Sequence, residues 1–152
     1  MATDISATLL PMNKVPFDFQ TPVKRLAFDI SPVTLGVAAV TTHTLQNIAA
    51  KYALVGGEII FITSLDSAGD DATLAFTFNG VAFTGTITQA GSAAGCVYKI
   101  VPNIASATAG VDVWGNDAVS PIVMTVGTGA VTAGRFILIL DLIDVTAFTG
   151  NG

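Results

Sequence analysis

Side chains able to do acid–base or nucleophilic chemistry are few and scattered in this chain. His43 is the only histidine, Cys96 the only cysteine and Glu58 the only glutamate. His43 lies in a threonine-rich stretch, where a structural role is the simpler interpretation. A Ser-His-Asp site would need a nucleophile in a turn such as G-x-S-x-G, which the chain lacks, and a lone cysteine is typical of a buried thiol. The sequence therefore predicts no enzyme.

The aspartates are the remaining candidates for a metal or acid–base site. Asp66, Asp70 and Asp71 share one loop, and oxygen-rich loops can hold calcium. Their spacing is not that of an EF-hand loop, so a solvated polar turn is the simpler interpretation, with calcium binding left open. Asp141 and Asp144 are three positions apart and would point to opposite faces of a strand. No zinc ligand set and no phosphate-binding glycine motif is present, so no metal and no cofactor is predicted.

The elements that carry these residues are predicted to be short β-strands separated by Gly, Asn and Pro. This pattern is typical of an all-β, single-domain antiparallel β-sandwich, a jelly-roll-like fold or a small barrel. The stretch Ala39–Ala53 is also compatible with a short helix, and Gly56-Gly57 is predicted to break the chain before the third strand. The predicted strands are Val23–Ile30, Val37–Leu45, Glu58–Leu65, Thr73–Phe78, Val81–Ile87, Cys96–Val101, Val111–Trp114, Val119–Val126 and Phe136–Val145.

The most specific local prediction is a β-hairpin at Asn79-Gly80. A two-residue Asn-Gly loop favours a type I′ turn, because both central residues must tolerate a positive φ. Such a turn fixes the register of the two strands, so that Phe78 faces Val81 and Phe76 faces Phe83.

The composition indicates a surface that other proteins cover. Hydrophobic residues make up 51% of the chain and charged residues only 11%, whereas about 25% is usual for charged residues. The longest apolar run, Phe136–Leu140, is far shorter than the ~20 residues of a spanning helix, so no membrane is predicted as a partner. A net charge of −5 with six Lys and Arg leaves no basic stripe for nucleic acid.

Residues 1–22 are predicted to be an extended N-terminal arm before a β-sandwich body of residues 23–152. Pro11, Pro16 and Pro22 each remove a backbone donor and favour an extended conformation before them. The chain starts without a basic and apolar leader, so export through a signal peptide is not expected. The arm contains six apolar residues that we expect to bind a partner protein: Leu9, Leu10, Met12, Val15, Phe17 and Phe19.

The last predicted strand, Phe136–Val145, is apolar on both faces. A strand of this kind is covered on both sides. One face would line the core of the sandwich, and the other would lie either in a subunit interface or under loops of the same chain.

These features together resemble virion structural proteins of tailed bacteriophages, most of all capsid decoration or cement proteins. The resemblance rests on the proline-broken apolar segment Pro11–Phe19, on the charge-poor β body, and on Val131-Thr132-Ala133-Gly134-Arg135, a predicted turn that leads into the last strand. It implies a non-enzymatic protein, made in the host cytoplasm and located on the capsid surface of the virion. It also implies a homo-oligomer, a trimer, that bridges subunits of the major capsid protein and stabilises the shell.

Two other roles remain open from the sequence. One is a carbohydrate-binding or adhesive β-sandwich of a fibre or spike, which would bring Trp114, Tyr52 and Tyr98 close together in space. The other is a tail or neck component of the same kind of particle.

Overall fold

Alternation of apolar and polar residues builds two β-sheets in the computed structural model, which describes residues 23–100 and 118–144. The predicted arm, the predicted strand Val111–Trp114 and the end of the chain lie outside the described residues. The strands are β1 Val23–Ile30, β2 Thr42–Ile48, β3 Tyr52–Ser67, β4 Thr73–Phe78, β5 Val81–Ala82, β6 Ile87–Thr88, β7 Val97–Lys99, β8 Ser120–Gly127 and β9 Val131–Asp144. A one-turn helix α1, Pro32–Leu35, follows β1, and a 3₁₀ turn, Gln89–Gly91, follows β6.

The two sheets are antiparallel and pack as a sandwich. The first sheet has the strand order β1-β9-β3-β7, and the second has β2-β8-β4-β5 with β6 beside β4. The prediction of an all-β antiparallel sandwich is therefore confirmed, whereas the small-barrel alternative is wrong: over the described ranges the sheets stay open and no strand joins them into a cylinder.

Three phenylalanines join the two sheets at the centre of the core. Phe136 on β9 lies 5.4 Å from Phe61 on β3, ring centroid to ring centroid, and 5.9 Å from Phe76 across the sandwich on β4. All three rings are buried. The rings of Phe76 and Phe136 pack edge-to-face, which brings the positive edge of one ring against the negative face of the other.

The predicted hairpin is confirmed in its turn and in its register. Asn79 and Gly80 have φ values of 52° and 75°, as a type I′ turn requires. Phe78 pairs with Val81, and the amide of Phe83 donates to the carbonyl of Phe76 over 3.1 Å. The two phenylalanine rings stack with centroids 6.0 Å apart.

The predicted chain break at Gly56-Gly57 is wrong, because β3 runs through both glycines. The register to β9 shifts between Leu54 and Gly56, which marks a β-bulge. Gly57 has a φ of 140°, and a Cβ atom there would lie 2.0 Å from the carbonyl oxygen of Ile139. The glycine is needed for this close approach of two backbones.

One further prediction of local structure is wrong, and one alternative is excluded. The segment Thr132–Gly134 belongs to β9, and the turn comes before it, where Thr128 has a φ of 63°. The stretch Ala39–Ala53 forms no helix, because β2 and the start of β3 occupy it, and the helix of this region is α1. Gly36 ends α1 with a φ of 73°, which a residue without a Cβ adopts at no steric cost.

Candidate interaction surface

The candidate catalytic residues lie on different sheets. His43 is on β2, and its Nε2 atom lies 2.9 Å from the carbonyl oxygen of Ala39. Cys96 precedes β7 in the first sheet, is half-buried and packs against the core. The ring and the thiol therefore both have structural surroundings, and the fold does not bring them together as a nucleophile and a base.

The aspartate loop is a hydrogen-bonded turn organised by a buried serine. The Ser67 hydroxyl accepts hydrogen bonds from the amides of Asp71 and Ala72, at 3.0 and 3.1 Å, and donates to the Oε1 of Gln89 at 2.8 Å. The Nε2 of Gln89 in turn donates to Asp70 at 2.8 Å. These hydrogen bonds give the loop the geometry of a polar turn. In the described part of the chain no three acidic, His or Cys side chains converge as a metal site.

The outer face of the first sheet has an apolar centre. Register places Asp29, Ile137, Ile60 and Val97 in one row across the four strands, and Ala27, Ile139, Glu58 and Lys99 in the next. The three isoleucines are half-buried, and Val97 is 50% exposed. The sequence predicts that the outward-facing side chains of β9 are covered. The described residues leave these side chains partly open to solvent.

Six charged side chains surround this centre and neutralise one another. Arg25 makes a two-pronged ion pair with Asp141, at 2.7 and 3.1 Å, directly across β1 and β9. Arg135 binds Asp29 in the same way, at 2.9 and 2.7 Å, along the diagonal of the sheet. Lys99 contacts Glu58 at 2.5 Å. This face, the isoleucine face, therefore has no net charge, although the whole chain carries −5.

The ion pairs shift the pKa values of two carboxyl groups. The hydrogen bonds from Arg135 lower the pKa of Asp29, and those from Arg25 lower the pKa of Asp141. Both carboxyl groups therefore stay ionised in the folded chain at a pH where the unfolded chain already binds protons.

We expect an acid-dependent loss of stability from this difference. The contribution of the two carboxylates is present above their unfolded pKa, near pH 4, and is lost as the pH falls through the lower folded pKa. Urea unfolding of the parent chain and of the double variant Asp29→Asn/Asp141→Asn checks this between about pH 5 and pH 2.5. The free energy of unfolding of the double variant should fall less over this range, and equal losses in the two proteins would contradict the prediction.

The second sheet differs from the first in charge. All of its strands, β2, β4, β5, β6 and β8, lack Asp, Glu, Lys and Arg, whereas every strand of the first sheet carries at least one of them. From Ile30 to Ala50, a range that includes α1 and β2, the sequence has no charged residue. Sequence reasoning missed this difference between the sheets. The charge-free run is visible in the sequence, but its place in the fold follows from the position of β2 at the edge of the second sheet.

A cleft of about 270 Å³ lies beside the start of β1, between the edges of the two sheets. Its lining includes Lys24 and Leu26 from β1, Ile48 from β2, Tyr52 from β3 and Leu142 from β9. The ammonium group of Lys24 lies 5.1 Å from the centroid of the Tyr52 ring, within cation–π range. The first strand of the described chain, β1, therefore lines this cleft with its first residues.

The residues predicted for binding divide into those inside and those outside the described ranges. Leu9, Leu10, Met12, Val15, Phe17 and Phe19 lie outside them, as does Trp114. The two tyrosines of the carbohydrate alternative are not neighbours. Tyr98, on β7, packs edge-on against Phe61 and donates its hydroxyl to the carbonyl of Gly91 at 2.6 Å, whereas Tyr52 lies at the cleft. Within the described segments, helices long and apolar enough to span a bilayer are absent.

Comparisons with known proteins bear on the fold. No protein family and no curated protein matches the sequence. The structure is similar to a chain in the acidic stable capsid structure of Helicobacter pylori bacteriophage KHP30, with a TM-score of 0.51 and 8% identity over 80% of this chain and 86% of that one. It is also similar to a chain of the cyanophage Pam1 capsid asymmetric unit, with a TM-score of 0.50 and 16% identity over 80% of this chain and 84% of that one. A chain of the capsid of Ralstonia phage GP4 is similar with a TM-score of 0.46 and 20% identity, over 80% of this chain and 84% of that one. With the KHP30 and Pam1 capsid chains, this chain shares its fold.

Proposed function

We propose that this chain is a non-enzymatic structural protein of a phage virion, which decorates the outer surface of the capsid as a homo-oligomer and stabilises the shell by bridging subunits of the major capsid protein. The observation that carries the proposal is the isoleucine face, an apolar and charge-neutral sheet surface on a fold shared with chains of phage capsids. Residues 23–152 form the body in this proposal, and residues 1–22 form the arm.

The isoleucine face suits a protein interface better than a permanently solvated surface. Interface cores are depleted of charged residues and rich in apolar side chains, with polar groups at the rim. Ile60, Ile137 and Ile139 form such a centre, and each surrounding charge already has a partner within the chain. A docked protein therefore buries no unpaired ion of this face, which avoids the cost of an uncompensated charge.

The arm supplies the second part of the binding surface. Its six apolar residues, from Leu9 to Phe19, would become buried when the arm orders against a neighbouring protein. Burial of one such side chain contributes roughly 1.5–3 kcal/mol, which offsets part of the conformational entropy lost by ordering the segment. Because these contacts exist only in the assembled shell, they stabilise the shell by mass action.

Binding to shells tests the proposal. Capsids that lack this chain are mixed with the full chain and with a variant that lacks residues 1–21, and bound protein is measured after sedimentation. We expect saturable binding of the full chain, and for the truncated variant a native circular dichroism spectrum without shell binding. Light scattering behind a sizing column gives the molar mass of both, and a trimer is expected for the full chain.

Two outcomes would contradict the proposal. Absence of binding by the full chain would remove the decoration role. Equal occupancy of the shells by full and truncated chains would remove the arm from the docking surface, while the isoleucine face would stay a candidate.

A further inference from the structure

A small polar pit lies on the isoleucine face, beside the two glycines of β3. It has a volume of about 200 Å³ and is lined by Arg25 of β1, Gly57 and Glu58 of β3, Lys99 of β7, and Ile139 and Asp141 of β9. Pockets for drug-sized molecules have about 300–1,000 Å³. The pit, which we call the Gly57 pit, therefore has room for one large side chain of another protein.

The pit exists because two neighbouring residues of β3 lack side chains, and its floor is fixed. Gly56 lies opposite Asp141 in the register, and a Cβ atom there would meet nothing within 4 Å. The backbone of Gly57 lies against the carbonyl group of Ile139, and its own carbonyl accepts a hydrogen bond from the amide of Ile100 at 3.0 Å. The floor is thus held by the strands on both sides, so a partner need not order it on binding.

The charges around the pit alternate in sign and sum to zero. Arg25 pairs with Asp141 on one side, and Lys99 pairs with Glu58 on the other. The pKa of Arg25 is raised mainly by its hydrogen bonds to Asp141, with a smaller contribution from the charge of Glu58. The guanidinium group therefore lies in the field of both carboxylates, and a charged side chain that entered the pit would be left without compensation.

The guanidinium group of Arg25 is oriented for stacking. Its Nε and Nη2 atoms donate to the two oxygens of Asp141 within the plane of the group, while the side chain is 69% exposed. Guanidinium groups held in this way stack on aromatic rings. An aromatic ring has a negative face and a positive edge, so its face suits Arg25 and its edge suits the carboxylates of Asp141 and Glu58. An aliphatic side chain offers no such match and would cover polar groups without compensation.

We propose that the Gly57 pit binds one uncharged aromatic side chain of the protein on which this chain docks. The ring lies over the glycine backbone with its face against Arg25. This inference rests on the proposed function and adds the class of residue that the partner presents to the isoleucine face. Aromatic residues are enriched among the few that dominate the binding energy of interfaces.

A titration of the purified full chain tests the pit without any shell. The probes are N-acetyl-tyrosinamide and, for comparison, N-acetyl-glutaminamide, which is uncharged and polar but has no ring; amide shifts are followed by nuclear magnetic resonance. We expect saturable shifts at Gly56, Gly57 and Lys99 with the tyrosine probe alone. Arg25→Lys keeps the charge beside Asp141 and removes the stacking plane, so it should weaken this binding by at least about threefold.

Shell binding tests the same pit in the assembled particle. Gly56→Phe places a ring of the chain's own beside the pit and should lower shell binding by at least about tenfold. Thr132→Phe adds the same ring at an exposed position of β9 outside the isoleucine face and should bind as the parent does. The thermal unfolding midpoint shows whether both variants fold, and Arg25→Lys decides the question if Gly56→Phe does not.

The outcomes separate this inference from the proposed function. Absence of saturable shifts with the tyrosine probe, or equal shifts with both probes, would overturn the aromatic site. Parent-like shell binding by folded Gly56→Phe and by Arg25→Lys would also overturn it, while the decoration role would stand. Saturable binding of the tyrosine probe at the pit, together with no shell binding by the parent chain, would remove the decoration role and keep the aromatic site.

Discussion

Arginine in place of Ile139 is expected to reduce binding of the chain to capsid shells by at least about 100-fold, because burial of an unpaired charge costs several kcal/mol. Ile139 lies at the centre of the isoleucine face, between Ala27 of β1 and Glu58 of β3. Its side chain is half-buried and points away from the core, so the new guanidinium can reach water in the free protein. The fold should therefore persist while docking fails.

A matched variant on the same strand controls for the effect of the added charge. Thr132 is exposed near the start of β9, outside the isoleucine face, and Thr132→Arg adds the same charge there. Shell binding is measured by sedimentation over a concentration series, and folding by the thermal unfolding midpoint. Wild-type binding by Ile139→Arg would exclude the isoleucine face as the docking surface, whereas equal losses in both variants would indicate a dependence on net charge alone.

Truncation of Phe136 to alanine should lower the free energy of unfolding by about 3–5 kcal/mol, the usual range for a buried phenylalanine. Phe136 is fully buried and contacts Phe61 within its own sheet and Phe76 across the sandwich. The substitution therefore removes contacts that hold the two sheets together and leaves a cavity at the centre of the core. Neither sheet can collapse into that space without moving the other.

Urea unfolding followed by circular dichroism measures this effect. Ile62→Ala serves as the comparison, because Ile62 is a large apolar residue of β3 that is 41% exposed; its loss should cost less than about 1 kcal/mol. Similar losses for the two variants would mean that the aromatic contact between the sheets is not the centre of stability. If Phe136→Ala is too unstable to purify, the soluble yields of the two variants are compared instead, and the yield of Phe136→Ala should be the lower one.

Local sequence signals predicted the elements whose structure depends on near neighbours. The Asn79-Gly80 turn needs two residues that tolerate positive φ, and this requirement alone fixed both the turn and its register. β1 was predicted with its observed ends, because alternation along Val23–Ile30 reports directly which side faces the core. Alternation of large apolar residues likewise showed that β9 is apolar on both faces, so that its outer face was predicted to be covered.

The sequence-based prediction was wrong for two glycines whose role depends on a strand that is distant in the chain. Gly57 and Gly134 look like turn residues in the sequence, yet both lie inside strands and allow backbone or side chains of a partner strand to come close. Nothing in the neighbouring residues indicates such an approach, because the contacting atoms belong to Ile139 and Leu65, far away in the chain.

The sequence by itself determined the class of the fold, the hairpin and the low charge that indicates covered surface, since composition, alternation and turn chemistry are local properties. Only the tertiary structure decided that all charges on the described strands belong to one sheet, and that six of them neutralise one another around an isoleucine centre. These properties depend on which strands become neighbours. Strand order is set by the packing of the whole core, so the isoleucine face emerges only when the sheets are assembled.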